Sequence, residues 1–242
     1  MVFRCVGWKM IGDVFLTYQL ITLFGACAIS KGASFSMTNT QPNWEQFALL
    51  LIDIQGDFWS EQAAKIYPDF PANIVALLTL CRNEGIEVVH LRASFKANMS
   101  DWMPKYMLRG GIPCIQGTAG EEPAPFAVEN PSETIILKQT FDGFHTPELL
   151  QYLRQKGKRF VLTAGLLTST CVLFTTASAM QKGFLAAVIE DCCADEPNAH
   201  RQTLDRYTFI FERTTVGLIV SHHSEWLVAL KKLDELKASI RK

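Results

Sequence analysis

From Phe47 onward the apolar positions alternate between two rhythms. FALLLID (47–53) is a continuous apolar run closed by a carboxylate, as expected of a strand buried on both faces. Residues 72–84 place Ile74, Leu77, Leu78 and Cys81 at helical spacing, and Gly85 supplies the stop. IEVVHLR (86–92) and TIILK (134–138) predict two more strands. Thr146, Pro147 and Glu148 form a helix start: a capping hydroxyl, proline at the first position and an acid in the first turn. That helix runs to Lys156, before Gly157. RFVLTAG (159–165) predicts a strand, 169–182 a helix stopped by Gly183, FLAAVIE (184–190) a strand and TFIFE (208–212) the last strand. A closing amphipathic helix is expected over 223–242.

Three helices therefore end in glycine just before a β-rich run, at Gly85, Gly157 and Gly183. This is the connection of a parallel sheet, and the alternation predicts a three-layer α/β/α sandwich around a mainly parallel six-stranded sheet. Ligands of such sheets bind outside the carboxyl ends of the strands. Residues 92–133 break the rhythm with Trp102, Pro104, Gly110, Gly111, Pro113, Gly117 and Gly120. A loop of that length is read as a lid or pocket wall, with a passive insertion as the plain alternative.

Ahead of this domain, expected to span 37–242, lies an apolar extension, residues 1–36. Arg4 and Lys9 precede its apolar run, and Ala26-Cys27-Ala28 resembles a signal-peptidase site. Asp13, Thr17, Tyr18 and Gln19 interrupt the run, however, and Met37 opens a polar lead-in to the first strand. The extension is read as a mis-called start; a signal or anchor segment is the alternative.

Composition narrows the partners. A hydrophobic share of 48% supports a sizeable core, and a net charge of −1 leaves no basic footprint for nucleic acid. The expected partner is a small-molecule substrate, with no nucleic acid and no membrane for the catalytic domain. The seven cysteines are odd in number and show no CxxC or Cys/His zinc spacing. Cys81, Cys192 and Cys193 read as buried, inert thiols, and the expected compartment is reducing and cytoplasmic, with export or anchoring if residues 1–36 are genuine. Aromatic and Met residues between Phe95 and Met107 suggest a homo-oligomer contact.

Three polar residues stand at strand ends, where a site belongs. Asp53 closes the first strand, Lys138 closes TIILK, and Cys171 follows RFVLTAG in the first turn of a helix. A thiol at a helix start feels free N–H groups and the positive end of the dipole, and a nearby lysine lowers its pKa further. Asp53 could take the thiol proton and later give one to a leaving amine. Each has a bland alternative: a cap or structural ion pair for Asp53, a solvent-facing amine for Lys138, a small buried hydrophobe for Cys171.

LLIDIQGDF (50–58), ILKQTFDGFHTPELLQYL (136–153), AGLLTSTCVLFTTASAMQKGF (164–184), VIEDCCAD (188–195) and Asn198-Ala199-His200 occur in an order that resembles the isochorismatase-like cysteine hydrolases over about residues 47–216. That group includes nicotinamidases, N-carbamoylsarcosine amidases and ureidoacrylate amidohydrolases. The resemblance implies Cys171 as nucleophile, Asp53 as general base and then acid, and Lys138 as the charge ordering both. It also implies a cis peptide at Leu166–Leu167, aiming the N–H groups of Leu167 and Cys171 at an oxyanion. Leu167 departs from the small residue common there and narrows the expected pocket. The implied reaction hydrolyses an amide or ureido C–N bond through a thioester and needs no cofactor. Phe58 and Phe141 are candidate substrate contacts, and Arg92 could clamp a substrate carboxylate, a surface ion pair being its plain alternative. No metal is expected, because 90–102 holds His90 and no second histidine; His90 and His200 read as structural. Two rivals stay open: a vinyl-ether hydrolase, which the cysteine disfavours, and a binding or scaffold protein that kept the fold.

Overall fold

In the computed structural model, residues 42–240 are described, and expectations for 1–36 lie outside them. The apolar runs form six strands, β1 (Phe47–Ile52), β2 (Glu87–Ala93), β3 (Thr134–Lys138), β4 (Phe160–Leu166), β5 (Leu185–Ala194) and β6 (Glu212–Thr214). They lie in the order β3-β2-β1-β4-β5-β6, and every pairing is parallel. Parallel strands need crossovers, and helices supply them. α1 (Glu61–Ile66), α2 (Phe70–Glu84), α3 (Pro104–Arg109), α4 (Pro147–Gln155), α5 (Leu173–Gln181) and α6 (Pro197–Arg206) lie between strands, and α7 (Ile219–Ile240) follows the last one.

The two-residue period of a strand splits β1 between two cores. Phe47, Leu49 and Leu51 face one side, packed with Ile74, Leu77 and Leu78 of α2 and Trp226 and Leu230 of α7. Ala48, Leu50 and Ile52 face the other, with Leu149 and Leu153 of α4, Ala179 of α5 and Leu204 of α6. All six positions of β1 and all seven of β4 are buried, which explains why β1 reads as an unbroken apolar run and β4 as one interrupted only by Thr163, whose hydroxyl is met by that of Thr176 at 2.9 Å.

The chain builds outward from β1 in both directions, so the sheet reverses its winding between β1 and β4. Ile52 pairs with Gly165 there. Gly165 has φ +126°, and a Cβ on it would lie 2.0 Å from the Ile52 carbonyl oxygen. No side chain fits between these strands where Asp53 leaves one and the nucleophile segment leaves the other.

Several local expectations are corrected. TFIFE is not a strand: the N–H groups of Ile210 and Phe211 fold back onto the Tyr207 carbonyl, and β6 begins at Glu212. β5 continues past Glu190 through Cys192 and Cys193, because the β4–β5 register shifts between Thr163 and Gly165. Thr146 precedes α4, but its hydroxyl donates to the Gly143 carbonyl rather than capping the helix. α1, α3 and α6 were not foreseen; α6 starts on Pro197 with Glu196 accepting from the Ala199 N–H, 2.9 Å away. α7 begins four residues earlier than expected, at Ile219 rather than His223.

Two substitutions separate close approach from ordinary packing. Leu77→Ala should cost about 2–5 kcal/mol in denaturant unfolding by opening a cavity. Gly165→Ala should destabilise as well, by at least about 1–3 kcal/mol of backbone strain. It should also suppress activity in the protein that remains folded, whereas Leu77→Ala should not. Equal specific activity of the two folded variants would show that the β1–β4 approach does not shape the site.

Candidate active site

The switch between β1 and β4 opens a crevice at the carboxyl ends of the strands, and the expected trio gathers there. Asp53 follows β1 with φ +51° and is fully buried. Its N–H donates to the Leu91 carbonyl at 2.8 Å, which ties the turn to β2. Its carboxylate accepts from the Ala93 N–H at 3.0 Å and from Lys138 Nζ at 2.6 Å. Lys138, the last residue of β3, is 1% exposed and also donates to the Thr140 carbonyl at 2.9 Å. Burial opposes the Lys138 charge, but the Asp53 carboxylate and the Cys171 sulfur beside it together hold the ammonium above its ordinary range.

Cys171 completes the group from the segment after β4. The Leu166–Leu167 peptide is cis. The chain then makes one wide π-helical turn, Thr168–Val172, before α5 begins. The Leu167 carbonyl accepts from the N–H groups of Thr170 and Val172, at 3.1 and 3.2 Å, and passes over that of Cys171. Two outer contacts grip this turn. Asp195 accepts from the Ser169 N–H and hydroxyl at 2.8 and 2.6 Å, and His200 Nδ1 meets the Thr168 hydroxyl at 2.8 Å.

The thiol departs from expectation. A lowered pKa was expected, yet burial pushes the Cys171 thiol well up, the Asp53 charge adds to this, and Lys138 only partly opposes it. The reason is geometric. Lys138 is already paired with Asp53, so the thiol faces a nearly neutral pair in a dry pocket. At rest the sulfur keeps its proton, next to a carboxylate able to take it.

A cavity of about 130 Å³ opens on Asp53, Lys138 and Cys171. Phe58, Phe141 and Leu167 line it, as do Phe95, Met103, Tyr106, Ile112 and Pro113 from the long loop and α3. Arg92 is not among the lining residues; it pairs with Glu129. That loop is pinned to the end of β1 by two polar residues whose roles were missed. Gln55 donates to the carbonyls of Ala93 and Glu121, at 2.8 and 2.7 Å. Asp57 accepts from the Cys114 N–H at 2.7 Å, and Gly120 passes so close that a Cβ there would lie 2.2 Å from the Asp57 carboxylate. Their signal was present in LLIDIQGDF: polar residues directly after a buried strand must satisfy backbone groups from elsewhere.

The comparisons with known proteins decide the family. A family model described as the isochorismatase domain matches residues 47–216. The chain belongs to the isochorismatase family. Among relatives of this isochorismatase-family hydrolase, Nicotinamidase 3 of Arabidopsis thaliana is 27% identical over 188 residues, covering 76% of this chain and 91% of that protein. Maleamate amidohydrolase of Pseudomonas putida is 27% identical over 160 residues, covering 61% and 72%. An isochorismatase family protein from Desulfovibrio vulgaris superposes with a TM-score of 0.66 at 25% identity, covering 72% of this chain and 96% of that one.

The family member's histidines sit in other contacts. His90 Nε2 meets Glu133 at 2.9 Å, and burial lowers the His90 pKa. Glu133 also takes Arg82 at 2.8 and 2.9 Å. Burial alone would raise the Glu133 carboxyl, but its bonds from Arg82, the Asn130 N–H and His90 hold it at about 2. Among the described residues, no three His, Cys, Asp or Glu side chains cluster as a metal site would require. No described helix is long and apolar enough to cross a membrane.

Two outcomes follow. The folded-state pKa of Glu133 lies below its ordinary 4.5, so its contribution to stability is present above that value and lost as pH falls toward about 2. Glu133→Gln should therefore be less stable at neutral pH and show a flatter loss between these limits in urea titrations. An acid limb identical to wild type would remove Glu133 from that role. Asp57→Asn should cost about 1.5–3 kcal/mol, the range of a hydrogen bond to a charged group, and should speed amide exchange in residues 94–123. Exchange confined to other segments would show that Asp57 does not hold the loop.

Proposed function

We propose that this chain is a cysteine hydrolase that cleaves the C–N bond of a small amide through a thioester on Cys171. The observation that carries this reading is the buried 2.6 Å pair of Lys138 and Asp53 beside a buried thiol at the mouth of a cavity. Two charges buried side by side are a weak device for stability, and their location suits acid–base work.

Substrate enters with its carbonyl carbon against the sulfur. Asp53 takes the Cys171 proton as the C–S bond forms, so the thiolate exists only during attack. The carbonyl electrons move onto oxygen, which the N–H groups of Leu167 and Cys171 receive. Asp53, now a carboxylic acid, gives its proton to the nitrogen, the C–N bond breaks and an amine or ammonia leaves. Water then loses a proton to Asp53 and attacks the thioester; the C–S bond breaks, and the proton returns to sulfur. Lys138 keeps Asp53 oriented and balances its charge throughout. The scheme invokes no metal or organic cofactor.

Cys171→Ala should abolish ammonia release from a turned-over amide while preserving the melting curve. Asp53→Asn should lower kcat by roughly 10²–10⁴. The two charged residues should then part in iodoacetamide kinetics. Asp53→Asn should lower the pH at which Cys171 alkylates, because Asp53 raises the thiol, and Lys138→Met should raise it, because Lys138 opposes that rise. Wild-type Cys171 should alkylate more slowly near neutral pH than the same cysteine in urea. Turnover by Cys171→Ala, or loss of wild-type turnover on chelation, would sink the scheme.

A further inference from the structure

The walls of the cavity indicate which acyl group it takes, an inference that rests on the cysteine-hydrolase reading above. We propose that the substrate is a small neutral amide with a compact apolar acyl group, and that the site rejects acyl groups carrying a carboxylate. The charged side chains lining the cavity are Asp53 and Lys138, and these are paired with each other at 2.6 Å. The Lys138 ammonium is further held by the Thr140 carbonyl at 2.9 Å. The rest of the lining is mostly apolar, with Phe58, Phe95, Met103, Tyr106, Ile112 and Phe141 in it, and its uncharged hydroxyls are those of Thr140 and Thr170 with the Tyr106 phenol.

The cation that could have received a substrate carboxylate is engaged elsewhere. Arg92 lies on β2, but its guanidinium pairs with Glu129 and does not line the cavity. Arg109, on α3 below Tyr106, is exposed and is not a lining residue either. A carboxylate entering this space would lose its hydration, gain no counter-ion and sit close to the Asp53 charge, three penalties of one sign. An apolar acyl chain gains from the same walls. About 130 Å³ limits that chain to a compact group, and Tyr106 and Phe141, in edge-to-face contact with each other, form part of the apolar wall it meets.

The test compares matched amides on the full-length protein: butanamide against succinamate, and pentanamide against glutaramate, by ammonia release. In parallel, p-nitrophenyl butanoate and p-nitrophenyl hemisuccinate are mixed with wild type and with Cys171→Ala, and the acyl adduct is read by intact mass. The neutral member of each pair should show a kcat/KM higher by on the order of a hundredfold, and the butanoyl adduct should form faster, on Cys171 alone. Cys171 adducts with the charged members reacting as fast or faster would overturn the proposal and leave the cysteine mechanism standing. Absence of any Cys171-dependent adduct or ammonia release across the panel would overturn the mechanism and the proposal together.

Discussion

The contact between Lys138 and Asp53 organises the rest of the molecule. Both side chains are essentially removed from water, at 1% and 0% exposure. Taking two ions out of water costs several kcal/mol each after relaxation, on the order estimated for buried charges, and their attraction offsets this only when every remaining polar atom is satisfied. The fold meets that condition with backbone groups. Ala93 at the end of β2 donates to Asp53, and Thr140 beyond β3 accepts from Lys138. No buried side-chain nitrogen or oxygen among the described residues is left without a partner. The pair is thus legible as a constraint on topology: β1, β2 and β3 must end level with one another, and they do so in register, with Ile52 opposite Leu91 and Ala93 opposite Lys138.

A second constraint holds the cavity open. The loop after β2 has little core of its own, a small cluster of Ala93, Phe95 and Cys114 with Phe58, Trp102 and Ile112 against it. Its position comes from backbone bonds at both flanks. Phe95 and Ile115 form an isolated parallel bridge, and Gln55 and Pro123 an antiparallel one. Ser94 and the Gly117 N–H converge on Glu121 at 2.6 and 2.8 Å. The strand ends therefore carry Asp53 and Lys138, while a separately fastened loop with α3 contributes Phe95, Met103, Tyr106, Ile112 and Pro113 to the cavity wall.

The sheet and the three polar strand ends were legible in the sequence for a common physical reason. A strand buried on both faces must be an unbroken apolar run, so a charge at its end, such as Asp53 or Lys138, stands out. That Gln55 and Asp57 must hold backbone groups was signalled by their place just after β1, but which groups they hold was not legible, because their partners, Glu121 and Cys114, lie 66 and 57 residues away. β6 was misplaced because Phe209 and Ile210 read as strand residues, although Phe209 is 76% exposed and the backbone there turns back on Tyr207. Arg92 looked suited to a ligand because it ends a strand, yet Glu129 reaches it first. The sign of the thiol shift was missed for a subtler reason. Burial is the main cause of the rise and the Asp53 charge adds to it, so Lys138, although it pulls the thiol down, does not set the sign; how deeply a thiol is buried and how near a carboxylate lies are matters of distance, which spacing along a chain does not contain.

That protonated thiol has a consequence for durability. Peroxides attack thiolates, and cysteines held as thiolates at rest are the ones most readily carried to sulfenic and then to irreversible sulfinic acids. Cys171 is 6% exposed, and burial, with the Asp53 charge beside it, raises its pKa and favours the protonated sulfur. On the mechanism proposed above, a nucleophile held in this way should oxidise more slowly than one kept as a thiolate at rest.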